Sequence, residues 1–173
     1  MMKIILLVLA ILFVVIVLMA VIGACLPRSH EAARAAVFHR KPTELYAVVR
    51  DFAMLPSWRS DLQSTEILPS RDGRVCYREI SRHRPITYVV LEDRPAEKLT
   101  VKIADENLPF GGTWTFAFSP ETDGCCVRIT EHGEVKNVLF RFMARFIFGY
   151  TGSIDNYLRD LGKKFGETVV LGP

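Results

Sequence analysis

The sequence predicts an α+β protein: a curved antiparallel sheet of about seven strands around a long C-terminal helix, preceded by one N-terminal transmembrane helix. Three observations carry this. Ile4 to Leu26 runs 23 residues without a charge, and from Ser64 to Glu131 apolar residues recur with period two between turn signals. Ile154, Tyr157, Leu158, Leu161 and Phe165 then recur at spacings of three and four, the stripe of an amphipathic helix.

The length, 173 residues, suits one ordinary domain plus an appendage. Residues 1–26 hold only two residues that are not apolar, Lys3 and Gly23; the rest of the chain has ordinary globular composition. A disordered chain is excluded. Four cysteines are too sparse for a disulfide scaffold. A net charge of +3 is too weak a footprint for nucleic acid, so no nucleic-acid partner is expected.

At ~1.5 Å per residue, a helix over Ile4–Leu26 is long enough for a bilayer core of roughly 30 Å. Pro27 then stops it. The reading is an uncleaved transmembrane anchor, with the lipid bilayer as partner through residues 4–26. Two alternatives stay open: an ordinary signal peptide, and a lipoprotein signal, because Ile22-Gly23-Ala24-Cys25 resembles a lipobox in which Cys25 would carry the lipid. Arg28, Arg34, Arg40 and Lys41 follow the span, against Lys3 before it. The positive-inside rule therefore predicts a single-pass protein of the cell membrane with its domain in the cytoplasm, a reducing compartment that also suits unpaired cysteines.

Residues 27–33 read as a linker, 34–168 as the folded domain and 169–173 as a tail. Ala33–Arg40 is expected as the first strand. Pro42-Thr43-Glu44 opens a helix, since proline is tolerated in the first turn and an acid there suits the dipole. A second short helix is expected from Pro56 to about Leu62. Six strands follow: 64–69, 74–82, 85–94, 98–104, 113–119 and 125–131. Turn signals at Arg71-Asp72-Gly73, Arg94-Pro95-Ala96, Asn107–Gly112 and Thr122-Asp123-Gly124 separate most of them, which implies hairpins and an antiparallel meander. Alternation places Trp114 on the covered face and Arg128 on the wet one. Gly149 and Gly152 mark a kink or break ahead of the C-terminal amphipathic stretch.

That element order, with Gly111-Gly112-Thr113-Trp114-Thr115-Phe116, then Ile129-Thr130-Glu131-His132-Gly133-Glu134-Val135, then Phe140-Arg141-Phe142 and Phe148-Gly149, resembles the SRPBCC (START-like) superfamily, in its polyketide cyclase/dehydrase branch. The resemblance covers about residues 33–168. It implies a helix-grip fold with a cavity between sheet and long helix. It says little of activity, because the superfamily holds lipid carriers, hormone receptors, aromatase/cyclases and ring-hydroxylase subunits.

Chemistry-bearing residues are few. His30, His39, His83 and His132 never approach ligand spacing, and the adjacent Cys125 and Cys126 point to opposite faces of a strand, so no metal site is expected. No phosphate-binding loop, nucleophile elbow or dinucleotide fingerprint is present, and no cofactor is expected. Gly111-Gly112 reads as a bulge or close approach at a strand start. Glu131 is the one catalytic candidate: period two places it with Val127 and Ile129, and a carboxylate beside Trp114 has its pKa raised by desolvation. The competing reading is an ion pair or a position at the cavity mouth. Tyr77, Tyr88 and Tyr150 are polar handles or plain core rings. Arg141 and Arg145, one turn apart, are either a basic stripe at the bilayer interface or two surface arginines.

The sequence thus points first to a membrane-anchored, non-catalytic domain binding a hydrophobic small molecule or lipid. The expected walls are Leu99, Val101, Trp114, Phe116, Phe118 and Val127 on the sheet, and Tyr150, Ile154, Tyr157 and Leu158 on the helix. A cyclase/dehydratase-type enzyme using Glu131 and a cavity tyrosine is the second reading. An interaction module whose cavity is closed by Phe140, Phe142, Phe146 and Phe148 is the third.

Overall fold

A computed structural model describes residues 1–82 and 84–173, and the side chains of all of these except Phe148. Helix α1 (Met2–Cys25) is long and apolar enough to cross a membrane, and Gly23 is its one buried residue. Strand β1 (Ser29–Phe38) leads into α2 (Pro42–Arg50) and a 3-10 turn over Phe52–Ser57. Six strands follow: β2 (Leu62–Arg71), β3 (Arg74–Ser81), β4 (Pro85–Arg94), β5 (Lys98–Ile103), β6 (Phe110–Glu121) and β7 (Gly124–Val135). The chain ends in α3 (Val138–Met143), a π-helical turn (Ala144–Phe148) and α4 (Gly152–Lys164).

The strands form one antiparallel sheet in the order β1-β7-β6-β5-β4-β3-β2. The consecutive hairpins make the meander that the turn signals require, and β1 closes it by pairing with β7 from Ser29↔Glu134 to Phe38↔Cys125. Register shifts in β2 and between Val90 and Glu92 of β4 add the extra residues that bend a sheet. The concave face grips α4, whose Ile154, Leu158 and Leu161 are fully buried. Beneath them Phe38, Leu99, Val127 and Ile129 are buried to the same degree. Arg128 is exposed on the convex face, as its parity requires.

Several boundaries differ from the sequence reading. Most of the stretch expected as linker, 27–33, is strand: β1 begins at Ser29, because the Glu131–Glu134 end of β7 offers it a full ladder. The second helical segment is a 3-10 turn that ends at Ser57, with Pro56 inside it, and Leu62 already belongs to β2. The segment 169–173 is no free tail. Gly172 exchanges backbone hydrogen bonds with Ala35 at 2.8 and 3.2 Å, capping the β1 edge. The C-terminal helical region is broken at Gly149, whose φ of +72° ends the π-helical turn and separates α3 from α4. His83 lies outside the described residues, as does the side chain of Phe148.

Local signals explain the termini. The Lys41 N–H donates to Glu44 Oε2 at 2.9 Å, so the acid expected in the first turn of α2 closes that end. Asn137 Oδ1 accepts from the N–H groups of Leu139 and Phe140 at 2.9 and 3.1 Å and starts α3.

Candidate functional site

The sheet, α4 and the α3–π segment line two partly open cavities of about 210 and 310 Å³. Tyr88, Val101, Trp114 and Ser153 line both, so the two are adjoining lobes. Trp114 is accordingly only half-buried, where the alternation predicts a core residue: it faces the covered side, but that side is hollow.

The smaller lobe is apolar in its walls and polar in its floor. Phe52, Leu55, Leu99 and Phe116 stand around Arg59, Glu79, Tyr77 and Tyr157. Arg59 Nη1 donates to Glu79 Oε1 at 2.7 Å, and its Nε and Nη2 donate to Asp61 at 3.1 and 2.6 Å. The guanidinium lies over the Tyr157 ring, 5.0 Å from the centroid. Its position is set next door: Ser60 donates through N and Oγ to Asp160 Oδ2 of α4, at 2.8 and 2.6 Å. Glu79 and Asp61 hold Arg59 charged despite its burial. Burial raises the Glu79 carboxyl pKa, with Arg59 opposing. Burial likewise pushes the phenols of Tyr77, Tyr88 and Tyr157 well above their usual range, so all three stay protonated donors at neutral pH. Among the described residues, none of these three hydroxyls is hydrogen-bonded to the protein.

The larger lobe contains Glu131. Its carboxylate is within 3.4 Å of His30 Nε2, and the His30 ring stacks on Tyr150 with centroids 3.9 Å apart. Glycines create this room. A Cβ at Gly133 would meet the His30 ring at 2.2 Å, and one at Gly112, across the ladder, would meet the His132 carbonyl oxygen at 2.3 Å. The Gly111-Gly112 pair is thus a close backbone approach, Gly112 having a φ of +138°. Burial raises the Glu131 pKa, against a smaller opposing influence of the Trp114 indole, and burial lowers that of His30. Both shifts favour the neutral form of the group concerned, so burial works against an ion pair at this contact.

Of the residues expected to line a cavity, Leu99, Val101, Trp114, Phe116 and Tyr157 line the smaller lobe, and Tyr150 with Glu131 lines the larger. Phe118, Val127, Ile154 and Leu158 line neither. They are buried in the solid core between sheet and α4, because the two surfaces touch at that end of the grip. Phe140 borders the larger lobe but leaves it open, and Phe146 is 59% exposed. Sequence reading missed Arg59, Glu79 and His30. Glu79 had a signal: in β3 it shares the parity of Tyr77, so period two carries its carboxylate inward. Arg59 and His30 had none, since their roles come from the folding-together of distant segments. Among the described residues no three His, Cys, Asp or Glu side chains cluster as metal ligands would. Cys125 is buried with its thiol raised to about 11 by burial, and Cys126 is half-buried.

A curved seven-stranded sheet gripping a C-terminal helix over a lobed cavity defines a helix-grip protein. The chain belongs to the family described as polyketide cyclase / dehydrase and lipid transport, whose model matches residues 29–166. Solved structures share the fold at low identity. The di-domain ARO/CYC StfQ from the steffimycin biosynthetic pathway superposes with a TM-score of 0.64 at 12% identity, over 77% of this chain and 50% of that one. The di-domain ARO/CYC BexL from the BE-7585A biosynthetic pathway gives 0.63 at 15%, over 82% and 51%. Norcoclaurine synthase from Thalictrum flavum gives 0.62 at 12%, over 79% and 86%. A second structure of that synthase, in complex with dopamine and hydroxybenzaldehyde, gives 0.61 at 12%, over 79% and 86%. The chain therefore spans about half the length of the two di-domain proteins. Comparison with curated proteins gives no match.

Proposed function

We propose that the protein is a membrane-anchored helix-grip domain that binds a hydrophobic small molecule or lipid, with an apolar body and one polar end, and that it does so without catalysing a reaction. The observation that carries this is the smaller lobe: apolar walls around the phenols of Tyr77, Tyr88 and Tyr157, which line the cavity and have no hydrogen-bond partner in the protein among the described residues. Donors that face a cavity rather than a protein acceptor are free to bond to whatever occupies it. A ligand acceptor such as a carbonyl or hydroxyl oxygen suits them. At about 210 Å³ the smaller lobe suits a ring-sized body, and the adjoining lobe gives room for a longer one. Norcoclaurine synthase, with the same fold, has been solved with dopamine and hydroxybenzaldehyde, which are small aromatic molecules with polar ends. Helix α1, by its length and composition, supports tethering at a membrane, and the basic residues after it favour a cytoplasmic domain.

The second reading, an enzyme of the cyclase or dehydratase kind, is favoured by one specific observation. Glu131 is a partly desolvated carboxylate in a cavity wall, next to His30 and Tyr150, and its raised pKa suits an acid catalyst.

The test is native mass spectrometry of the full chain in lipid nanodiscs, followed by titration with a fluorescent fatty acid and with a fluorescent phenol. A co-purified small molecule, or saturable binding that Val101→Trp abolishes and Tyr88→Phe weakens, supports the proposal; Val101 walls both lobes. No co-purified molecule and no saturable binding of either probe would overturn it. Turnover of a bound probe that Glu131→Gln abolishes would favour the enzyme.

A further inference from the structure

Helix α1 does not simply trail from the domain. Met19, Gly23 and Leu26 repeat at spacings of four and three and form the less exposed face at its C-terminal end. That face docks on α3 so closely that a Cβ on Gly23 would stand 2.0 Å from the Val138 carbonyl oxygen. The two helices are in backbone contact, as glycine permits. Arg141, 6% exposed, completes the junction: its Nη1 donates to the Leu26 carbonyl oxygen at 2.9 Å. A guanidinium at a helix C-terminus meets the negative end of the dipole. Arg141 and Arg145 therefore do not form one basic stripe. The first is buried at the junction and the second is exposed.

Next to this junction the segment Val138–Phe148 exposes large apolar side chains. Phe140 is 42% exposed, and Phe146 and Ile147 are 59% exposed each. They are set off by the π-helical turn, which rotates the second pair relative to a regular helix. Exposed apolar side chains of this size call for a cover, and the contact of their segment with α1 says which. If α1 crosses a bilayer, its 24 residues span a little more than the hydrocarbon core, so its last turn lies at the interface. Whatever is locked to Gly23 and Leu26 lies there too.

We infer that Val138–Phe148 lies in the surface of the bilayer that α1 crosses, with Phe140, Phe146 and Ile147 inserted among the acyl chains and Arg145 reaching the headgroups. The occupant of this face is the lipid bilayer. The inference rests on the anchor reading of α1. Its consequence concerns the larger lobe: Phe140, Ala144, Gly149 and Tyr150 line that lobe and belong to or border the same segment. The lobe thus adjoins the lipid surface, and an apolar ligand reaches it without crossing water.

The test uses the full chain in phosphatidylcholine vesicles with brominated acyl chains, which quench tryptophan on contact. Phe146→Trp and Ile147→Trp add a reporter to exposed positions. The wild type, with Trp58 and Trp114 in the domain, supplies the background. Phe13→Trp reports on α1, and Val170→Trp, 87% exposed at the far end of the chain, is the control. The expected result is that lipids brominated near the headgroup at least halve the added emission of Phe146→Trp and Ile147→Trp. Lipids brominated near the chain ends should do so for Phe13→Trp, and neither should affect Val170→Trp. Quenching of Phe13→Trp without quenching of Phe146→Trp and Ile147→Trp overturns the inference and leaves the anchor standing. No quenching of Phe13→Trp overturns the anchor reading, and the inference with it. Adding Gly23→Leu to Phe146→Trp should relieve most of its quenching while Phe13→Trp stays quenched; unchanged quenching would refute positioning through Gly23.

Discussion

Arg59 and Glu79 meet at 2.7 Å in the floor of the smaller lobe, their side chains only 11% and 10% exposed, 20 positions apart in the chain. Removing one partner of such a pair strands the other. Glu79→Ala is expected to destabilise by about 2–4 kcal/mol, less than a fully isolated pair because Asp61 still accepts from Arg59. Glu79→Gln keeps an acceptor in place and should lose less than half of that. Urea melts of the two variants, compared with wild type, give both values.

The raised Glu131 pKa makes a prediction with a definite sign. Between its unfolded value, about 4.5, and its higher folded value, the native state holds more protons than the unfolded one. Stability contributed at this position is therefore present below the unfolded pKa and is lost as pH rises through the folded pKa. Glu131→Gln, which cannot ionise, should be more stable than wild type at neutral pH. The advantage should vanish towards pH 4. Thermal melts across that range would reject the assignment if the difference had the opposite slope.

Trp114 separates the two lobes and is half-buried, whereas Phe116 beside it is 4% exposed. Phe116→Ala should cost ~3–5 kcal/mol, as large-to-small changes at almost fully buried positions do, and Trp114→Ala less than about 3. Arg128→Ala, on the convex face, should stay within ~0.5. Trp114→Ala should also admit a bulkier fluorescent probe than wild type, because it joins two spaces. Equal losses for the two aromatic residues would mean that Trp114 is packed as fully as Phe116 in solution.

A chain that starts at Pro27 is expected to fold, since α1 packs chiefly on α3. It should not be unaltered. Without Leu26 the Arg141 guanidinium loses its carbonyl partner, and α3 loses its neighbour at Gly23. Amide hydrogen exchange should stay slow in β6 and β7 and become much faster over residues 138–148. Uniform protection would show that α3 is held by the domain alone.

Most element types, the antiparallel hairpins and the break ahead of the C-terminal helix could be read from the sequence alone. These rest on local physics: period two and turn residues for the hairpins, period 3.6 for α4, and an uninterrupted apolar run for α1. The sequence also placed Glu131, Trp114 and Leu99 on the covered face, because parity along one strand needs no knowledge of any other. Which covered residues face a hollow became visible in the packing. Val127 and Val101 have the same parity and composition, yet one is packed solid under α4 and the other walls both lobes. That difference depends on how far the sheet curves away from the helix, which its bulges and the helix break set together. Arg59, His30 and Arg141 were illegible for a related reason. Each owes its role to a partner far along the chain: Glu79, the Glu131–Tyr150 wall and the Leu26 carbonyl. A charged residue in a sequence says what it can bind, and only the fold brings it something to bind.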